Sequence, residues 1–130
     1  MKLFDKSERS SFPYWFAHWC AFQMTALCLR KWKWKYLWHD WEKPWLMLWW
    51  KDYKCVQRWH RKHRRHHIEY PNPDKIDWEA LVIDWECSRF TKESSPLTAR
   101  GEFEKACKSG KINSEWQKHG FEDACIKLGL

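Results

Sequence analysis

The chain has 130 residues, of which 44% are hydrophobic and 18% aromatic, with 13 tryptophans among them. This length predicts a single domain over residues 1–130 with a sizeable core, and the aromatic content excludes an intrinsically disordered chain. The formal net charge of +7 favours anionic partners, either small phosphate compounds or nucleic acid.

The residue pattern predicts an all-α fold, since no segment shows the alternation that is typical of a strand. The first helix is predicted over residues 12–30, and a basic, aromatic connector at 31–35 leads to a short segment that ends at His39-Asp40. Pro44 suits the first turn of the next helix, and Asp77 suits an N-cap. The later helices are predicted over residues 44–51, 53–67, 78–90, 102–108 and 114–128, with loops at 70–74 and 91–101 and a potential break at Gly120.

Residues 10–29 contain no Asp, Glu, Lys or Arg and are long enough to span a membrane. Pro13, His18 and Gln23 argue against a span and favour a buried core helix. The polar residues 1–9 lack the apolar region of a signal peptide. The six cysteines form no C-x-x-C pair, which predicts reduced, buried thiols in a cytoplasmic protein without a membrane partner.

Asp84 is the most informative single residue, because it lies within the apolar run at residues 80–85. A buried carboxylate is costly unless it is paired with a positive group or binds a metal ion. On a helix, Asp84 shares its face mainly with small and apolar residues. Two interpretations stay open for this residue alone, a salt bridge (for instance to Arg89) and a metal ligand.

Two upstream positions offer histidines as partners for Asp84. His18 lies on the apolar face of the first predicted helix, where a hydrogen-bonded core histidine is the simpler interpretation. His39 and Asp40 are adjacent, and neighbouring side chains reach one metal ion only where the backbone turns, as it does at a helix end. An imidazole and a carboxylate together suit a divalent transition metal.

Residues 58–67 are rich in histidine and arginine. A helix over this segment places His60, His63 and His67 on one face and turns Arg58, Arg61 and Arg65 to the other side. The histidine face continues an apolar stripe, which favours metal binding inside the protein. The basic face favours contacts with nucleic-acid phosphates. This segment alone leaves both interpretations open.

The order His18, His39-Asp40 and Asp84 resembles the H…HD…D ligand pattern of the HD superfamily, a group of helical, metal-dependent phosphohydrolases. Lys43 completes the HD-x-x-K form that many members carry. The resemblance covers about residues 12–90. It implies a compact, HD-like helical bundle with its metal site in that part of the chain. The C-terminal part lies outside the resemblance, and there the residue pattern predicts a helical extension over about residues 100–130.

Members with two metal ions carry further histidines between the HD pair and the last aspartate, and this chain has four histidines in that interval. The chain is most similar to a small family of HD-like proteins from bacteria and phages, in which a His-His pair precedes an Asp-Trp pair. The matching pairs here are His66-His67 and Asp84-Trp85. The residues that depart from the usual pattern are Trp41, Glu42, Pro44 and Arg65.

This resemblance implies one or two divalent transition-metal ions, of Mn, Fe, Ni, Co or Zn, and a metal-activated water that attacks a phosphate ester of a nucleotide or a related compound. Asp40 is then a metal ligand and a candidate general base, and Lys43 would stabilise charge on the phosphate. The candidate metal ligands are His18, His39, Asp40, His60, His63, His66, His67 and Asp84. The candidate phosphate-binding residues are Lys43, Arg58, Arg61, Arg64 and Arg89.

Three other functions stay open on this sequence. A di-iron, HD-type oxygenase would use the same histidines. A non-enzymatic, basic nucleic-acid-binding protein would use residues 58–67 for phosphates and exposed tryptophans for stacking. A domain that binds metal for stability alone would turn over nothing. The sequence leaves the oligomeric state open, with a homodimer among the options.

Overall fold

The computed structural model describes residues 11–50, 52–91 and 98–130, and within these residues the chain forms six α-helices and no strand. The prediction of an all-α fold is confirmed. Two short 3-10 helices, Trp34–Trp38 and Pro73–Lys75, lie in the connections. The α-helices are α1 (Phe12–Cys28), α2 (Glu42–Trp49), α3 (Tyr53–His63), α4 (Trp78–Ser88), α5 (Ala99–Lys108) and α6 (Glu115–Leu128).

Side-chain caps define the starts of α1 and α4, the two helices that pack together at the site. Ser11 is the N-cap of α1 and accepts a hydrogen bond from the backbone N–H of Tyr14, while Pro13 lies in the first turn. Asp77 caps α4 by accepting a hydrogen bond from the N–H of Ala80 at 3.2 Å, as the sequence predicted. Both caps satisfy N–H groups that have no partner within the helix.

Helix α3 is shorter than predicted. It ends at His63, because the backbone of Arg64 is extended, with φ −111° and ψ 132°. The carbonyl oxygen of Arg65 then accepts a hydrogen bond from the N–H of Asp77 at 2.7 Å, which ties the turn to the start of α4. The predicted single helical face for the histidines of this segment is therefore wrong, since His67 lies beyond the helix.

The other boundary differences are small. Helix α5 begins at Ala99 instead of residue 102, because Thr98 caps it. Helix α6 continues through Gly120, where a Cβ atom would lie 2.5 Å from the Trp78 ring, so this glycine permits close packing on α4. The predicted helix end at Lys51, the predicted loop residues 92–97 and the N-terminal residues 1–10 lie outside the described residues.

Helix α4 is the centre of the packing and contacts α1, α5 and α6. Phe22 of α1, Leu81 and Ile83 of α4 and Phe121 of α6 are fully buried in one hydrophobic cluster. Burial of a side chain of this size stabilises the fold by about 2 kcal/mol. The helices of the predicted C-terminal extension thus share a core with the helices that carry His18 and Asp84, and this core fixes α1 against α4.

All six cysteines are free, in agreement with the predicted reduced thiols. The predicted burial holds for Cys87 and Cys125, whereas Cys28 and Cys55 are exposed. Within the described part of the chain, every helix is too short or too polar to cross a membrane. Helix α1 instead buries one side in the core, as the sequence predicted.

Candidate metal centre

Four buried side chains from α1, α4 and the turn before α2 meet at one point, and we call His18, His39, Asp40 and Asp84 the first cluster. Oδ1 of Asp84 lies 2.9 Å from Nε2 of His18 and 3.1 Å from Nε2 of His39. Oδ2 of Asp40 lies 3.5 Å from Nε2 of each of these histidines. One donor atom from each of the four residues lies within 4.8 Å of the others, so a single metal ion could contact all of them.

A backbone turn brings the adjacent residues His39 and Asp40 into the same cluster. His39 ends the first 3-10 helix, and Asp40 adopts a left-handed backbone with φ 58°. This conformation costs about 1 kcal/mol for a residue other than glycine. The indole of Trp15 donates a hydrogen bond to the Asp40 carbonyl at 2.8 Å, and the His39 ring stacks on Phe22 with the centroids 3.8 Å apart. The turn that a shared His-Asp site requires is therefore present.

Asp40 also belongs to a second group, and we call Asp40, His60, His66 and His67 the second cluster. Oδ1 of Asp40 lies 2.9 Å from Nε2 of His60 and 3.1 Å from Nε2 of His66. Helix α3 carries His60, and the turn after α3 brings His67 back beside it, with the ring centroids 4.6 Å apart. Asp40 thus presents one carboxylate oxygen to each cluster, as a carboxylate that bridges two metal ions does.

Two buried nitrogen atoms test whether these residues suit a metal ion. Nε2 of His60 and Nε2 of His67 are buried and make no hydrogen bond with the described residues. Nε2 of His60 lies close to Oδ1 of Asp40 but without the alignment of a hydrogen bond. A buried polar atom without a partner costs about 1–3 kcal/mol. A cation could accept the lone pairs of these two nitrogen atoms, so the residues fit a metal ion.

Glu42 is a site residue that the sequence reasoning missed. Its carboxylate accepts a hydrogen bond from Nδ1 of His60 and another, at 2.7 Å, from Nε of Arg64. With its proton on Nδ1, His60 leaves the Nε2 lone pair free for a metal ion, which is how an outer carboxylate orients a metal-binding histidine. Burial raises the pKa of Glu42, but the hydrogen bond to His60 outweighs it, and the pKa falls to about 2. The only signal in the sequence was an unusual acidic residue beside Lys43.

The two aspartates are ionised despite their burial. Burial raises the pKa of Asp40, but the neighbouring His39 and Lys43 outweigh it and hold that pKa well below its usual value. Burial also raises the pKa of Asp84, where His18 and His39 together lower it well below its usual value. Each cluster therefore contains a buried negative charge, and a bound cation would neutralise that charge.

Most of the histidines are neutral, the form that binds a metal ion. Burial lowers the pKa of His18, His66 and His67 from the usual 6.5. His60 differs, since burial lowers its pKa but the carboxylates of Asp40 and Glu42 raise it more. Ionised carboxylates beside neutral imidazoles form a donor set that suits a divalent transition metal.

Two spaces adjoin the clusters. A small cavity of about 40 Å³ is lined by residues of both clusters and by Lys43, Arg61 and Tyr53. This volume is enough for a water molecule, which needs about 10–15 Å³. A larger cleft of about 220 Å³ opens beside Asp40. The basic side chains that line this cleft are Lys35, Arg64 and Arg65, of which the sequence reasoning proposed only Arg64.

Three predicted site residues lie apart from both clusters. His63 is exposed, and its Nδ1 donates a hydrogen bond to the carbonyl oxygen of Trp59 at 2.7 Å. Arg58 and Arg89 are exposed and line neither space, and the guanidinium of Arg89 lies over the Phe90 ring at 4.7 Å. The structure thus brings the other seven predicted ligand residues together and leaves out His63.

No protein-family model matches the chain, and no curated protein and no solved structure is significantly similar to it. The fold and the site define the protein as a class: an all-helical protein with a buried cluster of histidines and aspartates that could hold a metal ion. Such a cluster is compatible with an HD-like domain. A more specific function has to be inferred from the chemistry of the site itself.

Proposed function

We propose that this protein is a metal-dependent phosphohydrolase of the HD type that acts on a nucleotide or a related phosphate ester. The observation that carries the proposal is the position of Asp40 between the two clusters, with its two oxygens facing different sets of histidines. Paired metal ions are a common device for displacement at phosphorus. The H…HD…D order of the ligands supports the same assignment.

In this proposal the first cluster would hold one ion and the second cluster would hold another, with Asp40 available to both. Imidazole nitrogen and carboxylate oxygen suit Mn, Fe, Ni, Co or Zn. A divalent ion in such a site lowers the pKa of water and polarises a phosphoryl oxygen. The protein keeps both aspartates ionised and fixes the imidazole rings, as Glu42 does for His60.

Lys43 supplies a positive charge at the place where a phosphate would approach. Its Nζ lies 3.3 Å from Oδ2 of Asp40, and its side chain lines the small cavity. Burial lowers the pKa of Lys43, but the attraction of Asp40 raises it above its usual value, so the ammonium group stays charged. Because both oxygens of Asp40 already face histidines, ligation explains this residue better than the role of general base.

The basic cleft beside Asp40 supports an anionic substrate. Arg64 and Arg65 line it, and their planar guanidinium groups suit phosphate oxygens. Nε of Arg64 donates to Glu42 and Nε of Arg65 donates to the carbonyl oxygen of Lys75, which holds both side chains in place. The terminal guanidinium nitrogens are therefore the groups that we assign to a substrate phosphate.

A di-iron oxygenase is the second candidate, and the three histidines of the second cluster favour it. Iron is well matched by imidazole ligands and a bridging carboxylate. The two candidates differ in what is consumed, since hydrolysis needs water alone and oxygenation needs molecular oxygen. Oxygen uptake by the iron-loaded protein therefore separates them.

Elemental analysis of protein purified without a histidine tag is the first test. We expect about one or two equivalents of transition metal in the wild type and less in Asp84→Ala. His63→Ala is the matched control, because His63 is exposed and lies outside both clusters, so this variant should retain the metal. A wild type without stoichiometric metal, whose melting temperature is unchanged by Mn, Fe, Ni or Zn, rules out the metal site.

Activity assays on the metal-loaded protein are the second test. The substrates are nucleoside monophosphates, nucleoside triphosphates and cyclic dinucleotides, and phosphate release is the readout. Release that disappears in Asp84→Ala and persists in His63→Ala supports the proposal. Bound metal with neither phosphate release nor oxygen uptake contradicts both enzymes and leaves a purely structural role for the metal.

A further inference from the structure

Large hydrophobic side chains are concentrated on the outside of one part of the molecule, within residues 12–50. Three of them on α2 are well exposed: Trp45 by 63%, Leu48 by 70% and Trp49 by 82%. Single exposed apolar residues are normal, but a continuous group of them marks an interaction surface. We call Phe12, Trp38, Trp41, Trp45, Leu48 and Trp49 the aromatic face.

Ring contacts connect the first part of the aromatic face, and helical spacing connects that part to α2. Trp15 lies between Phe12 and Trp41, with ring centroids 6.4 Å and 5.4 Å away, respectively. Trp41 in turn meets the Trp38 ring at 6.0 Å. Trp41 also has helical backbone angles, φ −62° and ψ −27°, and precedes Trp45 by four positions, while residues 48 and 49 follow Trp45 by three and four positions, so all of them lie on one side of the helix. The exposed rings therefore form a continuous surface.

The aromatic face carries no exposed charge of its own. The charged residues within 38–50 are Asp40, Glu42 and Lys43, and all three form ion pairs, Asp40 with Lys43 and with cluster histidines and Glu42 with His60 and Arg64. Along the chain, exposed cations precede this segment at Lys31 and at Lys33, which pairs with Glu79, and follow it at Lys54 and Arg58, beside the exposed Asp52. An uncharged, indole-rich surface on a chain of net charge +7 suits a negatively charged partner that is apolar inside.

We propose that the aromatic face docks on an anionic membrane surface and lies in the headgroup region without crossing the bilayer. Indole rings favour this region, because they combine a large apolar body with an N–H donor. Lysine and arginine beside an apolar face add attraction to anionic lipids. This binding mode is compatible with the finding that none of the described helices could span a membrane.

Two other occupants fit the face less well. In a symmetric dimer the same surface meets itself, so two copies of a chain with net charge +7 would approach one another. Single-stranded nucleic acid needs cationic side chains between its stacking rings to follow the phosphates. Here the rings of Trp38, Trp41 and Trp15 contact each other instead. A bilayer with anionic headgroups matches both the apolar surface and the net positive charge of the chain.

Vesicle co-sedimentation of the full-length protein tests this proposal. One set of vesicles contains phosphatidylcholine alone, and the other contains an equal mixture of phosphatidylcholine and phosphatidylglycerol. We expect binding to the anionic vesicles and at least about tenfold weaker binding by the double variant Trp45→Ala/Trp49→Ala, because two large apolar side chains are lost from the contact. Trp116→Ala is the matched control, since Trp116 is 42% exposed on α6, outside the aromatic face.

Circular dichroism and the melting temperature verify that both variants fold. No binding to anionic vesicles overturns the proposal, and so does binding that both tryptophan variants retain in full. A dimer that dissociates in Trp45→Ala/Trp49→Ala, without vesicle binding, assigns the face to a second copy. Preferential binding of a single-stranded oligonucleotide that depends on the same tryptophans assigns it to nucleic acid. None of these readouts depends on the metal or on phosphate release.

Discussion

The first and second clusters share Asp40 but are held by very different parts of the molecule. The other residues of the first cluster, His18, His39 and Asp84, are all buried, and two of them lie on the packed helices α1 and α4. In the second cluster only His60 is on a helix, while His66 and His67 are partly buried in the turn beyond α3.

This difference shows how one site can combine a rigid and an adaptable part. Movement of His18 or Asp84 requires movement of the core, because α1 and α4 pack against each other. Movement of His66 or His67 requires a change in one turn only. The first metal position should therefore be coupled to folding, and the second should be gained or lost with little effect on the fold.

The largest expected effect is that of Asp84→Ala. This change leaves His18 and His39 buried without the carboxylate that lies 2.9 Å and 3.1 Å from them. We expect loss of metal from the first cluster, loss of activity and a decrease of about 3 kcal/mol in the free energy of unfolding. Elemental analysis, phosphate release and urea unfolding measure these three effects. Unchanged stability in Asp84→Ala would contradict the coupling of this cluster to the fold.

The next effect is that of His67→Ala, which removes a ligand of the second cluster from a turn. We expect the metal content to fall by about one ion per chain and the unfolding free energy to change by less than about 1 kcal/mol. The same elemental analysis and urea titration apply, with His63→Ala as the control for an exposed histidine. Destabilisation as large as that of Asp84→Ala would remove the distinction between the clusters.

A smaller effect is expected for Glu42→Gln, which weakens the hydrogen bond that orients His60. Affinity for the second ion should fall about 10–100-fold, while the first ion stays bound. Competition with a fluorescent chelator measures the two affinities separately. Glu79→Gln is a suitable control, because Glu79 lies outside both clusters and forms a surface ion pair with Lys33 at 3.1 Å. Equal effects of the two substitutions would rule out an orienting role for Glu42.

The smallest expected effect is on the pH dependence of the metal-free protein. Burial lowers the folded-state pKa of His18, His66 and His67 below 6.5, so the unfolded chain binds more protons as the pH falls through that value. The contribution of these residues to the free energy of unfolding is fully present above pH 6.5 and is lost as the pH falls toward their folded-state pKa values. The pKa of His60 is raised, so this residue contributes to stability in the opposite direction. Thermal unfolding between neutral and mildly acidic pH measures this, and stability that rises on acidification would contradict it.

Sequence reasoning predicted the first cluster better than the second, for a physical reason. His18 and Asp84 lie on strongly apolar helices, where a polar residue stands out and the helical period shows its face. The second cluster depends on where α3 ends, and the histidine-rich segment has no proline or glycine to mark that point. Helical spacing consequently pointed to His63, whereas the structure brings His66 into the cluster.

The residues that contact the candidate metal ligands or line the cleft could not be predicted from the sequence either. Glu42 reaches His60 from 18 residues away, and Arg65 joins the basic cleft through a turn tied to α4. Neither contact leaves a periodic pattern, because each joins the end of one element to another. Lys35 lines the same cleft, but the sequence indicated only that it belongs to the basic connector at residues 31–35.

The sequence by itself determined that the fold is all-α, where α1 and α4 lie, and that the buried Asp84 needs a positively charged partner or a metal ion. These features follow from side-chain periodicity and from the cost of an unpaired charge in an apolar helix, both of which are local. Only the tertiary structure decided that Asp40 faces both clusters, that Glu42 orients His60 and that the tryptophans form one exposed face. Those outcomes depend on how turns and helix ends meet in space, and no local pattern encodes such distances.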